Sequence, residues 1–215
     1  MLSTFSYYIL LLLIIIFYLL LFFINLKKTP KKIKPAMGIF IFLAALKNIF
    51  LLFMVFTSLK ISIEVAKIIG FLDLLYIPAI IIILFYIFWR TDKVKFNKIN
   101  IILGVMTSTY FGIMLILKAK FNIRWEFGYV IEMGNNYIFK AIYLIIFLAL
   151  LISVVLFKFN ETTNILGMNI LLGLISVLIL ENLAYILGLR YFPYCLFSEL
   201  FLIGITFYGF RTFKS

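Results

Sequence analysis

Six polar residues stand inside otherwise apolar stretches and are the candidates for chemistry: Lys47, Asn48, Asp73, Glu181, Asn182 and Glu199. Ionisable groups within lipid-spanning segments are costly, and they persist where they pair or line a wet cavity. Three carboxylates against one lysine leave an acid surplus. It calls for a carboxyl protonated by desolvation, for Arg190 reaching in, or for a bound cation. Two readings follow: internal pairs that lock a helix bundle, or an outward-facing pocket in which these six residues bind a small ligand.

Other chemistry is excluded by residue type. The chain has no histidine, so no His-based triad, HExxH zinc site or imidazole switch. Cys195 is the single cysteine, which leaves no intramolecular disulfide and no CxxC; its apolar surroundings mark it as a buried free thiol. Walker A, GxGxxG and GxSxG patterns are missing. The three acids could move protons, but no nucleophile or metal-ligand set accompanies them. The expectation is a non-enzyme without cofactor or metal.

The elements that must position these residues are set by composition. Of 215 residues, 66% are hydrophobic and 13% are charged, against about 25% charged in a soluble domain. A soluble chain of this size has no interior large enough for so much apolar surface, so lipid is the solvent. Seven stretches approach the roughly 20 apolar residues a bilayer requires: 5–25, 37–58, 69–89, 99–117, 137–157, 165–188 and 193–211. The first, fourth and fifth read as clean; the third holds Asp73 and Pro78. A tight turn, Gly188 to Tyr191, separates the last two, with Pro193 near the start of the final helix. A six-span alternative merges or drops one of that pair. The expectation is a single all-α, polytopic transmembrane domain over 1–215, a seven-helix bundle with no repeat and no linker.

The charge, +12 overall, gives the orientation. Lys27, Lys28, Lys31, Lys32 and Lys34 follow the first span, and Arg90, Lys93, Lys95 and Lys98 follow the third. With these loops inside, twelve of eighteen loop and tail cations lie inside. That is the positive-inside pattern, with N-terminus out and C-terminus in. Anionic lipid headgroups, not nucleic acid, are the expected counter-charge. At 1.5 Å per residue, Lys47 lies near the midplane, Asp73 about 6 Å below the outer border, and Glu181 and Glu199 about 9 Å below it. Lys47 can snorkel outward to meet the acids.

The loop 118–136 is the longest on the outer side. Phe121, Ile123, Trp125 and Phe127 alternate with Lys120, Asn122, Arg124 and Glu126. Period two predicts a strand, turned at Gly128 and returning through Tyr129, Val130 and Ile131, with Trp125 buried. An interfacial aromatic loop is the alternative.

Several local features together resemble the seven-helix N-terminal sensor region of bacterial histidine kinases. They are the basic loop Lys27 to Lys34 leading to Pro35-Ala36, the short segment Ser62 to Lys67, and Tyr76-Ile77-Pro78-Ala79 followed by an apolar run and Arg90. The long loop between the fourth and fifth helices fits as well. The resemblance implies a multi-pass protein of the bacterial cytoplasmic membrane. It would act as a receptor or signalling module that binds a small extracellular ligand in its outer half and signals through a membrane-bound partner. That family's output machinery is not in this sequence: no phospho-acceptor histidine or ATP lid is present. A small transporter or substrate-binding membrane subunit is the competing class; an odd number of spans and the lack of a repeat count against it.

Overall fold

The computed structural model describes residues 2–56, 62–90, 96–124, 127–134, 136–159, 162–189 and 192–213. Among them the elements run α1 (Leu2–Lys28), α2 (Lys34–Phe56), α3 (Ile63–Gly70), α4 (Asp73–Trp89), α5 (Phe96–Ile116), β1 (Ala119–Arg124), β2 (Gly128–Met133), α6 (Asn136–Phe157), α7 (Ile165–Ile186) and α8 (Leu196–Arg211). Only Phe71 and Leu72 separate α3 from α4, and Ile63–Trp89 acts as one 27-residue apolar unit. Among the described residues six helical segments, α3 and α4 counted as one, are therefore long and apolar enough to cross a membrane. The final helix has 16 residues and begins at Leu196, past Pro193. Its length of about 24 Å falls short of a hydrocarbon core of about 30 Å.

These sequences are helical because a backbone in lipid must satisfy its own polar groups. Large side chains such as Ile101, Leu115, Ile116 and Leu156 accordingly face outward. The exception is α4. Leu75, Tyr76, Ile77, Pro78, Ala79, Ile80 and Ile81 are consecutive and all buried, the mark of a helix enclosed on every side. It packs against α2, α5, α6, α7 and α8.

Both ends of α4 are tied down. At its C-terminus the Phe88 carbonyl accepts from the Asn164 N–H at 2.8 Å, so the turn before α7 satisfies a terminal carbonyl. The Phe88 ring occupies room that only glycine leaves: a Cβ on Gly167 would stand 2.5 Å from it. At the N-terminus, the Tyr143 hydroxyl on α6 donates to the Asp73 carbonyl at 2.8 Å.

The segment 62–68 is not a loop. Ser62 caps α3, its hydroxyl accepting from the Val65 N–H. Lys67 is a buried helical residue that pairs with Glu64 and donates to the Leu117 carbonyl.

The expected hairpin is present. β1 and β2 pair antiparallel with Ala119 opposite Met133 and Arg124 opposite Gly128. Gly128 takes φ 75°, the left-handed conformation a tight turn requires. Burial differs from the expectation drawn from β1. Phe127 is buried, but Ile123 is 65% exposed; the enclosed strand is β2, through Val130, Ile131 and Met133. Trp125 lies outside the described residues. The free edge of β2 is covered, since the Ile131 N–H donates to the Tyr194 hydroxyl at 3.2 Å. The Phe127 ring packs on Tyr7 of α1 and on Phe192. The start of α1, the hairpin, the start of α4 and the α7–α8 turn thus share one end of the bundle.

Candidate functional site

Four of the six polar residues meet. Lys47 lies midway along α2, fully enclosed, and its ammonium donates to Glu199 Oε1 at 2.6 Å. Asp73 Oδ2 lies 3.7 Å from the same nitrogen. One residue on, Asn48 donates to Glu199 Oε2 at 2.8 Å and to the Ala44 carbonyl at 2.9 Å. The centre therefore joins α2, α4 and α8.

The sequence places these side chains for a physical reason. Asp73 is the first residue of α4, and Glu199 lies in the first turn of α8. Both carboxylates sit at helix N-termini, where the macrodipole favours negative charge. That offsets part of the surplus left by two acids on one lysine. Lys47 meets two of the three acids, Asp73 and Glu199, as the cost of an unpaired ammonium leads one to expect.

The other two candidates go elsewhere. Glu181 Oε2 accepts from the Ser198 N–H at 3.0 Å. Cys195 at the α8 N-cap offers no side-chain cap, so a carboxylate from the preceding helix serves that terminus. Asn182 is buried and donates to the Leu178 carbonyl of its own helix at 2.8 Å.

Two aromatic rings flank the ammonium, and nothing in the sequence pointed to them. The rings of Tyr194 and Tyr76 lie with their centres 5.6 Å and 5.8 Å from Lys47 Nζ, within cation–π range. Tyr18 meets Tyr76 edge-on. Among the described residues, Asp73 Oδ1, Asn48 Oδ1 and the hydroxyls of Tyr18 and Tyr76 have no hydrogen-bond partner. Such groups inside a bundle usually mark ordered water or a site that rearranges.

Two cavities adjoin the centre. One, of about 20 Å³, lies among Phe71, Asp73, Ile131, Lys140, Tyr185 and Tyr194 and has room for one water. The other, about 200 Å³, opens at the α7–α8 turn and is walled by Glu181, Tyr185, Phe192, Tyr194, Cys195 and Phe197. Tyr185 and Tyr194 line both.

Lys140 was overlooked. The fifth span, read as clean, carries this lysine in the first turns of α6. Its ammonium stands 3.7 Å from Cys195 Sγ and 4.8 Å from the centre of the Tyr185 ring. The available signal was the cation itself, four residues inside an otherwise apolar stretch.

Among known protein families, curated proteins and solved structures, none matches this chain.

Proposed function

We propose that the chain is a non-enzymatic receptor module of the bacterial cytoplasmic membrane, with seven spans, N-terminus outside and C-terminus inside. In this proposal α8 completes the seventh crossing. The protein binds a small extracellular ligand at its outer end and passes a change in helix packing to a membrane-bound partner.

One juxtaposition carries the proposal. Tyr194 walls the 200 Å³ cavity and also faces the buried Lys47 ammonium. A ligand touching Tyr194 changes the surroundings of an ionic centre that holds α2, α4 and α8 together. Such a ligand shifts helix packing by its differential affinity for two arrangements of those helices. An all-apolar interface offers no comparable lever. The centre is a structural lock and a switch at once: pairing keeps it closed, and the unpartnered oxygens give it a second arrangement.

The test is a thermal-unfolding screen of small polar metabolites on the purified chain in lipid nanodiscs. At least one compound is expected to raise the wild-type midpoint. The shift should vanish in Leu189→Trp, which fills the cavity mouth and touches none of the charged groups. Loss of response with binding retained in Lys47→Met would place the signal in the ionic centre. If no compound shifts the wild type, or if reconstituted vesicles accumulate the compound, the receptor assignment fails.

A further inference from the structure

α1 and α8 start together at the hairpin end, where Tyr7 packs on Phe192, and run packed side by side away from it. On the surface between them lies an apolar groove of about 360 Å³. Leu21 and Ile203 are its buried floor, and Phe17, Leu20 and Phe207 are exposed walls. Gly204 makes a notch in the α8 wall, since a Cβ there would have nothing within 4 Å.

The two walls end alike. On α1 the stripe Phe17, Leu21, Ile24 continues four residues on at Lys28, and on α8 the stripe Leu200, Gly204, Phe207 continues four residues on at Arg211. Residues three and four apart share a helix face, so both cations stand at the same end of the groove. Lys27 is beside Lys28 in the last turn of α1. The Arg211 guanidinium lies 4.5 Å from the centre of the Phe207 ring, which holds that cation against the groove wall itself. Lys27, Lys28 and Arg211 are exposed, and among the described residues none has a carboxylate partner.

The apolar part runs about 10 Å along each helix, and the cations begin about one turn beyond it. A partner helix crossing a core of about 30 Å would be received over only a fraction of its length. An acyl chain that ends near mid-bilayer needs no more, and its phosphate then stands level with the cations. A zwitterionic headgroup would bring a further cation to them; an anionic one brings none.

We propose that the α1–α8 groove is a site for an anionic phospholipid of the leaflet at that end, one acyl chain over Gly204 and its phosphate among Lys27, Lys28 and Arg211. In the orientation proposed above this is the cytoplasmic leaflet, whose anionic lipids are drawn to basic pockets between helices. The site lies at the far end of the bundle from the outer cavity and stands apart from any ligand there.

The experiment is native mass spectrometry of the detergent-purified chain, titrated with dioleoyl phosphatidylglycerol and with dioleoyl phosphatidylcholine. Phosphatidylglycerol should bind saturably, roughly tenfold or more tighter than phosphatidylcholine. Arg211→Gln and Lys28→Gln should each weaken it about fivefold, the effect of one cation near an anionic surface. Lys120→Gln, exposed on the hairpin at the other end, should leave it unchanged. Gly204→Phe should abolish binding by filling the notch while eluting as the wild type does; Leu20→Trp, on the facing wall and 51% exposed, fills the same groove if the α8 variant misfolds. The proposal is overturned if phosphatidylcholine binds as tightly, if the groove-filling variants bind like the wild type, or if Lys120→Gln weakens binding as much as Arg211→Gln. A dimer that Gly204→Phe dissociates would assign the groove to a second copy of the chain and overturn it too.

Discussion

Lys47→Met is the most informative perturbation, because the buried centre carries two carboxylates on one cation. At an effective dielectric near 20, unit charges attract by about 6 kcal/mol at the 2.6 Å of Lys47–Glu199 and by about 4 kcal/mol at the 3.7 Å of Lys47–Asp73. Desolvating three groups cancels most of that, so the net worth of the intact centre is small. Removing the lysine alone is another matter. It leaves both acids enclosed with no cation, and breaking a buried pair in this way costs about 3–5 kcal/mol. Glu199→Gln keeps Lys47 beside Asp73 and leaves one acceptor oxygen where the carboxylate had two, so that with Lys47 retained the Asn48 amide loses its acceptor, a loss of about 1–3 kcal/mol. Asp73→Asn removes the longer contact and should cost least. The expected order of destabilisation is Lys47→Met, then Glu199→Gln, then Asp73→Asn. Adding Glu199→Gln to Lys47→Met should recover part of the loss, as a double-mutant cycle would register. Reversible unfolding in mixed detergent micelles, followed by tryptophan fluorescence, reads these differences. The reasoning fails if Lys47→Met unfolds within about 1 kcal/mol of wild type, the scale of an exposed pair, or if Glu199→Gln costs more than Lys47→Met.

Further expectations follow from other contacts. Gly167→Ala places a methyl 2.5 Å from the Phe88 ring; overpacking of about 1–3 kcal/mol should exceed the helix-propensity gain of up to about 1 kcal/mol. Gly173→Ala, with nothing within 4 Å of its added methyl, should unfold at or above the wild-type midpoint. Tyr194→Phe deprives the Ile131 N–H of its acceptor; hydrogen exchange at that amide should accelerate, with little change in α1. Gly128→Ala strains a residue at φ 75° and should raise exchange along both strands by the equivalent of about 1 kcal/mol. For orientation, cysteine placed at Pro30 should resist an impermeant maleimide in intact cells, whereas cysteine at the exposed Asn122 should react; the opposite pattern inverts the topology.

Helix existence was legible along the chain because a bilayer imposes one strong requirement. An apolar stretch of about 20 residues must satisfy its backbone internally. Hence the spans 5–25, 37–58, 99–117, 137–157 and 165–188 coincide with α1, α2, α5, α6 and α7 to within a few residues. The hairpin was legible through period-two alternation and through Gly128. That Lys47 would meet an acid was legible too, because an unpaired ammonium near the midplane is costly.

Partner choice was not legible, since hydropathy records depth and says nothing of the direction a helix face takes. Glu181 and Glu199 have the same sequence depth. Only packing assigned Glu199 to Lys47 and Glu181 to the bare N-terminus of α8. The same holds for α4, whose enclosure on all sides follows from five neighbouring helices. The burial of β2 in preference to β1 follows from α2 and Tyr194 lying against it. Lys140 shows the limit most plainly: its cation is visible in the sequence, but its place beside Cys195, Tyr185 and the 20 Å³ cavity depends on residues some 45 to 55 positions away. Burial pattern is a one-dimensional property of the chain. The meeting of charges on α2, α4 and α8 is a property of how helices rotate against one another, and side-chain packing alone decides it.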